Sequence, residues 1–317
     1  MKRPTTRSIT GAVAAVALAL SGTAALADYP EKNIEVIISY GPGSNTDTGG
    51  RLFMNAMVEA LGDATYVPVN VAGAGGTIGT AQLAAAAPDG YTIGYNPIAT
   101  VTIQPHLRPL PYGKDSFEPI CKVAETPSAV MVAPDGPYQN IDDLMAAAKE
   151  GKVVAAGPAP GSLPFIAAMS AVKAYGADVT YLPVGGGSKA AASVLGGEAT
   201  MSTDIYSAAK TRGLKALAIL ASERQPDAPD IPTLKEMGHD ISLSVWFGLF
   251  APAGTPEAVI ETLSGACAEA VNDQAFIDGM AAANHIIDYQ DRAAFTEFYN
   301  DQFANNRQLL VNIGLLE

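Results

Sequence analysis

Residues 34–51 spell a strand, a tight loop and a helix start in immediate succession. Ile34-Glu35-Val36-Ile37-Ile38 is short, apolar and β-branched, which suits a strand covered on both faces of a parallel sheet. Gly41 and Gly43 let the backbone turn sharply and approach another group closely. Ser44, Asn45, Thr46 and Asp47 all have side chains that cap helix N-termini. Beyond them Leu52, Phe53, Ala56, Met57, Ala60 and Leu61 recur at helical spacing. A loop that leaves a parallel strand and opens a helix carries unpaired N–H groups, with the positive end of the helix dipole behind them. It suits a phosphate or a carboxylate.

The same construction returns. Val153-Val154-Ala155-Ala156 leads into Gly157-Pro158-Ala159-Pro160-Gly161-Ser162 and then a helix with Phe165, Ile166, Met169 and Val172. Thr65-Tyr66-Val67-Pro68-Val69 is echoed by Thr180-Tyr181-Leu182-Pro183-Val184, each followed by a glycine cluster and an alanine-rich helix. The offset is about 115–118 residues. Two echoes in the same order predict two similar α/β halves whose glycine loops face one crevice.

Residues 1–27 read as a secretory signal peptide. Lys2, Arg3 and Arg7 precede an apolar run from Gly11 to Leu20, too short to span a bilayer, and Ala25-Leu26-Ala27 is an A-x-A cleavage site. The mature chain then begins near Asp28, with about 290 residues, enough for two domains around a cleft. It carries 16 basic and 32 acidic residues, which argues against nucleic acid and anionic membranes as partners. An anionic ligand is still allowed, because local N–H dipoles outweigh distant screened charge. Cys121 and Cys267 permit either a disulfide or two separate buried thiols.

Strands at 65–71 and 91–95 each end in a loop, at 73–77 and 96–100, with a helix at about 78–87 between them. In parallel α/β sheets ligands sit at the carboxyl ends of strands. The loops at 40–46, 73–77 and 96–100 are therefore expected to converge. The run 117–124 continues to Ser128–Pro134, where we place the first crossing between domains. The second half supplies loops at 157–163, 184–188 and 202–206, with its last strand at 214–221. Residues 244–251, with the single tryptophan Trp246, return the chain, and helices near 256–272 and 291–311 close the first domain.

Other chemistries find little support. Gly73-Ala74-Gly75-Gly76-Thr77-Ile78-Gly79 resembles a dinucleotide fingerprint, but its last glycine is one place late and the acidic partner is not clearly placed. Gly185-Gly186-Gly187-Ser188-Lys189 lacks the P-loop spacing, and no G-x-S-x-G elbow occurs. His106, His239 and His285 are far apart and suggest neither a metal site nor a triad. No cofactor or metal is expected. Arg51, four residues after Asp47, reads as a surface or interdomain ion pair; Asp47 reads equally as a helix-start acid or a ligand contact. Asp204 is either a helix cap or a partner for a ligand hydroxyl or amine. Tyr40 is either a core residue or a cover for the ligand, and its place at a strand end favours the cleft.

Four runs in order resemble one family: Ser39-Tyr40-Gly41-Pro42-Gly43-Ser44-Asn45-Thr46-Asp47, Gly73 to Gly79, Ala87-Pro88-Asp89-Gly90-Tyr91-Thr92, and Trp246-Phe247-Gly248-Leu249-Phe250-Ala251-Pro252-Ala253-Gly254-Thr255-Pro256. The chain resembles the tripartite tricarboxylate transporter receptors, the Bug-type extracytoplasmic solute receptors, over nearly all its mature length. The resemblance implies an α/β, two-domain, periplasmic-binding-protein-like (type II) fold with a central ligand cleft, closing on an organic acid. It implies a non-enzymatic, periplasmic, monomeric receptor delivering a di- or tricarboxylate or aromatic acid to a permease of one large and one small membrane subunit. Residues 28–124 and 241–317 would form domain 1, and 125–240 domain 2. In the family a ligand carboxylate is held by backbone and hydroxyl groups of the loops that match 40–46 and 157–163.

The expected ligand-binding residues are Tyr40, Gly41, Gly43, Ser44, Asn45 and Thr46, helped by Gly76, Thr77, Asn96 and Ala99. From domain 2 they are Ala159, Gly161, Ser162, Gly186, Ser188 and Asp204. Against the family pattern, Ser44 stands where a second glycine is usual, and Asp204 stands near where some relatives carry a glutamate. Pro158, Pro160 and Pro164 each remove an N–H donor, and Phe165 replaces a common histidine. These changes predict a stiffer, more apolar wall. The competing reading is an exported sensor, or a hydrolase or lyase, using the same carboxylate cleft.

Overall fold

The computed structural model describes residues 29–61 and 65–317; the expected signal peptide lies outside the described residues. Strands β1 (Ile34–Ile38), β2 (Tyr66–Asn70) and β3 (Thr92–Pro97) are parallel, with β1 in the middle. Helices α1 (Asn45–Ala60) and α2 (Thr77–Ala84) connect them. Past β3 the chain does not form the loop expected at 96–100. Asn96 and Pro97 stay in the strand, and Ala99–Ile103 forms a wide π-type turn that runs into a short helix, α3 (Gln104–Leu107). The hydroxyls of Thr100 and Thr102 donate to the carbonyls of Pro97 and Ile98, at 3.1 and 2.9 Å, a back-bonding that reshapes a helical turn.

The long strand β4 (Phe117–Val132) leads to α4 (Ile141–Lys149), β5 (Val154–Gly157), α5 (Leu163–Ala174), β6 (Thr180–Pro183), α6 (Gly187–Leu195), β7 (Met201–Ile205), α7 (Ser207–Thr211) and β8 (Lys215–Leu220). Then β9 (Ser244–Pro252) returns, and α8 (Glu257–Ala270), α9 (Gln274–Ala282), β10 (Ile287–Gln290) and α10 (Arg292–Asn312) complete the chain. The strand order is β2-β1-β3-β9-β4-β7-β5-β6, with β8 and β10 also on β4. From Phe117 to Pro127, β4 runs antiparallel to β9; from Ser128 to Val132 it pairs with β7 and β8. This one strand therefore carries the chain from one parallel set to the other.

Aromatic and aliphatic packing fills both halves. Tyr95 and Phe247 stack at 5.6 Å, and Phe53 and Phe276 pack beside them under α1 and α9. Trp246, Phe250, Phe295 and Tyr299 fill the opposite face beneath α10. Complete burial of each such side chain contributes on the order of 2–3 kcal/mol. In the second half Leu144, Ile166 and Val172 cover one sheet face, while Ala190, Val194 and Ala208 cover the other. Cys121 of β4 and Cys267 of α8 form a disulfide across 146 residues, both fully buried.

Candidate functional site

Ser44 opens α1 as its N-cap, with its hydroxyl accepting the Asp47 N–H at 3.2 Å. Ser162 opens α5 the same way, accepting the Phe165 N–H at 3.4 Å. Each serine follows a glycine in the left-handed region, Gly43 at φ +77° and Gly161 at φ +84°. A side chain is disfavoured there, so each loop needs glycine to swing its strand end onto the helix start. The two starts are the same device, built at the carboxyl ends of β1 and β5.

In the first half Tyr40, Gly76 and Thr77 of the expected residues come together. The Tyr40 hydroxyl donates to the Gly75 carbonyl at 3.0 Å; burial pushes this phenol above its ordinary pKa, so it remains a donor. Gly76 is bare because a Cβ there would lie 2.6 Å from Thr100 Cγ2 and 3.1 Å from the Tyr40 ring. Thr77 begins α2 and donates to the Ala74 carbonyl. Loops 40–46 and 73–77 and the turn at 99–103 thus meet at one edge. Asn96 is fully buried beneath α2, donating to the Thr80 hydroxyl at 3.3 Å, and its Oδ1 has no partner among the described residues. Ala99 is half-buried at the start of the turn, and Gly41, Gly43 and Asn45 reach solvent.

Asp47 is the keystone of the first loop. Its carboxylate accepts from the Gly43 N–H at 2.8 Å, from Arg51 Nε at 2.7 Å and from Asn70 Nδ2 at 2.8 Å. Asn70 also donates to the Tyr40 carbonyl. Burial alone would raise the Asp47 carboxyl, but hydrogen bonds from Asn70, Gly43 and Arg51 outweigh it and hold the carboxyl below its usual range. With the Gly43 N–H committed to Asp47 and the Ser44 N–H to the Gly41 carbonyl, the N–H groups of Gly41, Asn45 and Thr46 are without a partner among the described residues.

In the second half Ala159 is exposed, and Gly161 and Ser162 are half-buried. The Gly161 Cα faces Leu107 of α3, whose Cδ1 would lie 3.3 Å from an added Cβ, so the two halves approach each other here. Phe165 lies inside the core, edge-on to Tyr181 at 4.7 Å, and Tyr181 donates to the Pro158 carbonyl. It backs the proline-rich loop from behind instead of forming the apolar wall expected of it. Gly186 is the N-cap residue of α6, and Ser188 lies in its first turn.

Asp204 departs from its expected place. It lies within β7, not in a loop before a helix, and Tyr206 holds the N-cap position of α7 without a side-chain cap. Its Oδ1 accepts the Ile205 N–H at 2.8 Å and its Oδ2 is ion-paired with Arg212. Sequence reasoning missed Arg212, because nothing local ties it to a strand eight residues earlier or to Gly187, against which it packs. A cavity of about 790 Å3 opens elsewhere, beside α7, with Tyr206, Ser207, Asp227 and Asn284 in its wall; none of the predicted residues lines it.

A sequence profile described as tripartite tricarboxylate transporter family receptor matches residues 50–315. BugT of Bordetella pertussis is 32% identical over 86% of this chain and 87% of its own length. Among solved structures, a TctC solute-binding protein from Polaromonas superposes with TM-score 0.78 at 30% identity, covering 89% of this chain and 99% of its own. The periplasmic binding protein BugD gives TM-score 0.75 at 28% identity, covering 91% and 99%. MatC from Rhodopseudomonas palustris, solved with bound malate, gives 0.75 at 25% identity, covering 89% and 100%. The chain belongs to the tripartite tricarboxylate transporter family receptors and has the two-domain fold of the TctC and Bug solute-binding proteins.

Proposed function

We propose that the protein is a periplasmic receptor that captures a small organic carboxylate between its two domains, 28–124 with 241–317 and 125–240, and passes it to a tripartite tricarboxylate-type permease. The observation that carries this reading is the pair of matched helix starts, each a left-handed glycine followed by a capping serine at the end of a parallel strand. Two helix N-termini at one gap offer N–H donors and positive dipole ends to an anion. Neither loop 40–46 nor loop 157–163 carries Lys or Arg, so the charge is met by N–H and hydroxyl groups. Family membership and the malate held by MatC agree with an acid as the cargo.

Thermal-shift and calorimetric titration over di-, tri- and aromatic carboxylates tests it. The wild type should gain about 2.7 kcal/mol at 100 times the dissociation constant of its ligand. Gly161→Val places a branched residue at φ +84°, at a cost of about 1–2 kcal/mol. It should still fold but lose the shift, whereas Arg51→Ala should bind within a few fold of wild type. Loss in Arg51→Ala with retention in Gly161→Val would replace the helix-start model by a charged clamp. Turnover of the bound acid would show an enzyme instead.

A further inference from the structure

One imidazole touches the helix start that the first loop presents. The chain leaves α9 at Asn284, which takes φ +58° and whose carbonyl accepts the Ser207 hydroxyl of α7 at 3.3 Å. The next residue, His285, turns inward. Its N–H donates to the Met280 carbonyl at 2.9 Å, and its ring, 6% exposed, sits edge-on to Phe247 of β9. The ring bonds to the backbone of Asn45, the first residue of α1. That bond favours the charged ring, so it goes to the carbonyl. Nδ1 has no partner among the described residues, so Nε2 makes it. Gly49, one turn further on, is bare beside the ring: a Cβ there would lie 3.8 Å from His285 Nε2 and 3.1 Å from the Tyr95 hydroxyl. The other groups around the ring bring no charge. Tyr95 is fully buried, which holds its phenol protonated, and Asp47 and Arg51 of α1 are engaged with Asn70 of β2. Burial therefore holds the imidazole below its ordinary pKa, with no acid beside it to offset a second proton.

We propose that His285 couples capture of an anion at the α1 start to uptake of a proton, so that the protein holds its acid more tightly as pH falls. This rests on the receptor reading above, which puts a carboxylate at the N–H groups of Asn45 and Thr46. The carboxylate then lies within a residue of the ring and supplies the counter-charge that burial withholds. An anion so close favours the imidazolium and raises the pKa of the ring. A group whose pKa rises on binding takes up protons as the ligand arrives. Affinity must then increase as pH falls through the range below the ordinary histidine value of about 6.5. The proton enters from solvent at Nδ1, the nitrogen without a partner.

The test titrates malate, succinate, adipate, citrate and benzoate by calorimetry between about pH 8 and 5.5, with folding checked by circular dichroism. Wild type is compared with His285→Gln, which keeps a donor for the Asn45 carbonyl and cannot titrate. The ratio of the two affinities for one acid cancels the ionisation of the acid itself. It should be close to one at the alkaline end and favour the wild type by about threefold or more at the acid end, within the tenfold that one pKa unit allows. Heats taken in buffers of different ionisation enthalpy should show more proton uptake by the wild type than by the variant. In the wild type alone, the ring resonances of His285 should titrate at a higher pH once the acid saturates the protein. A flat ratio, a wild type that weakens relative to the variant in acid, or a ring pKa that does not rise would overturn the proposal and leave the receptor reading standing. Failure of all five acids at every pH would overturn the receptor reading and this proposal with it.

Discussion

A single buried carboxylate holds the first loop in shape. Asp47 ties Gly43, Arg51 and Asn70 together, and through Asn70 it fixes the Tyr40 carbonyl. Because the folded state lowers its pKa, its stabilisation is present above the unfolded value of about 4 and is lost as pH falls through the folded value. Asp47→Asn should cost about 1–3 kcal/mol at pH 7. Urea unfolding should show the gap between variant and wild type narrowing toward pH 3; a gap that persists would mean that shape, not charge, is what Asp47 supplies. In the sequence this residue was balanced between helix acid and ligand contact, since its i,i+4 spacing to Arg51 is local whereas Asn70 comes from another strand. Arg212 was invisible for the same reason: its position depends on the bareness of a glycine in a different helix.

Elements with a strong local pattern were legible: the β-branched run of β1, the apolar stripe of α1, and the glycine loops ahead of α2, α5 and α6. Short elements shaped by their neighbours were not. Helix α9 and strand β10 were absent from the sequence reading, although Asp273 caps α9 by accepting the Phe276 N–H at 2.7 Å. Strand β10 exists only by pairing with β4, Ile287 opposite Ala124 and Gln290 opposite Lys122. Lys122 shows what binds them. Its side chain is 1% exposed, its Nζ pairs with Glu125 and with Asp288, and it lies 4.3 Å above the Phe298 ring. Lys122→Ala leaves two acids without their cation and should destabilise by about 3–5 kcal/mol, whereas Lys122→Met keeps the packed stem and should cost less. Chemical denaturation of the two variants decides; equal losses would put the whole effect on the charge.

The molecule as a whole turns on two antiparallel strands, β4 and β9, that pass between the halves. Such a linkage lets the domains close when a ligand contacts both and so favours the closed state. Small-angle scattering should show a smaller radius of gyration with a saturating acid, and an unchanged profile at proven saturation would mean a rigid pocket. The disulfide adds a constraint of another kind. Cys121 precedes the second half and Cys267 follows it, so the intervening chain forms a closed covalent ring on the first half. In the chain-entropy model a ring of this size stabilises the fold by about 5 kcal/mol. Its topology also means that one cut anywhere inside the ring separates nothing. A nicked chain runs as one band until a thiol is added, and only then splits in two, so a single proteolytic cut leaves the two pieces bound as one molecule.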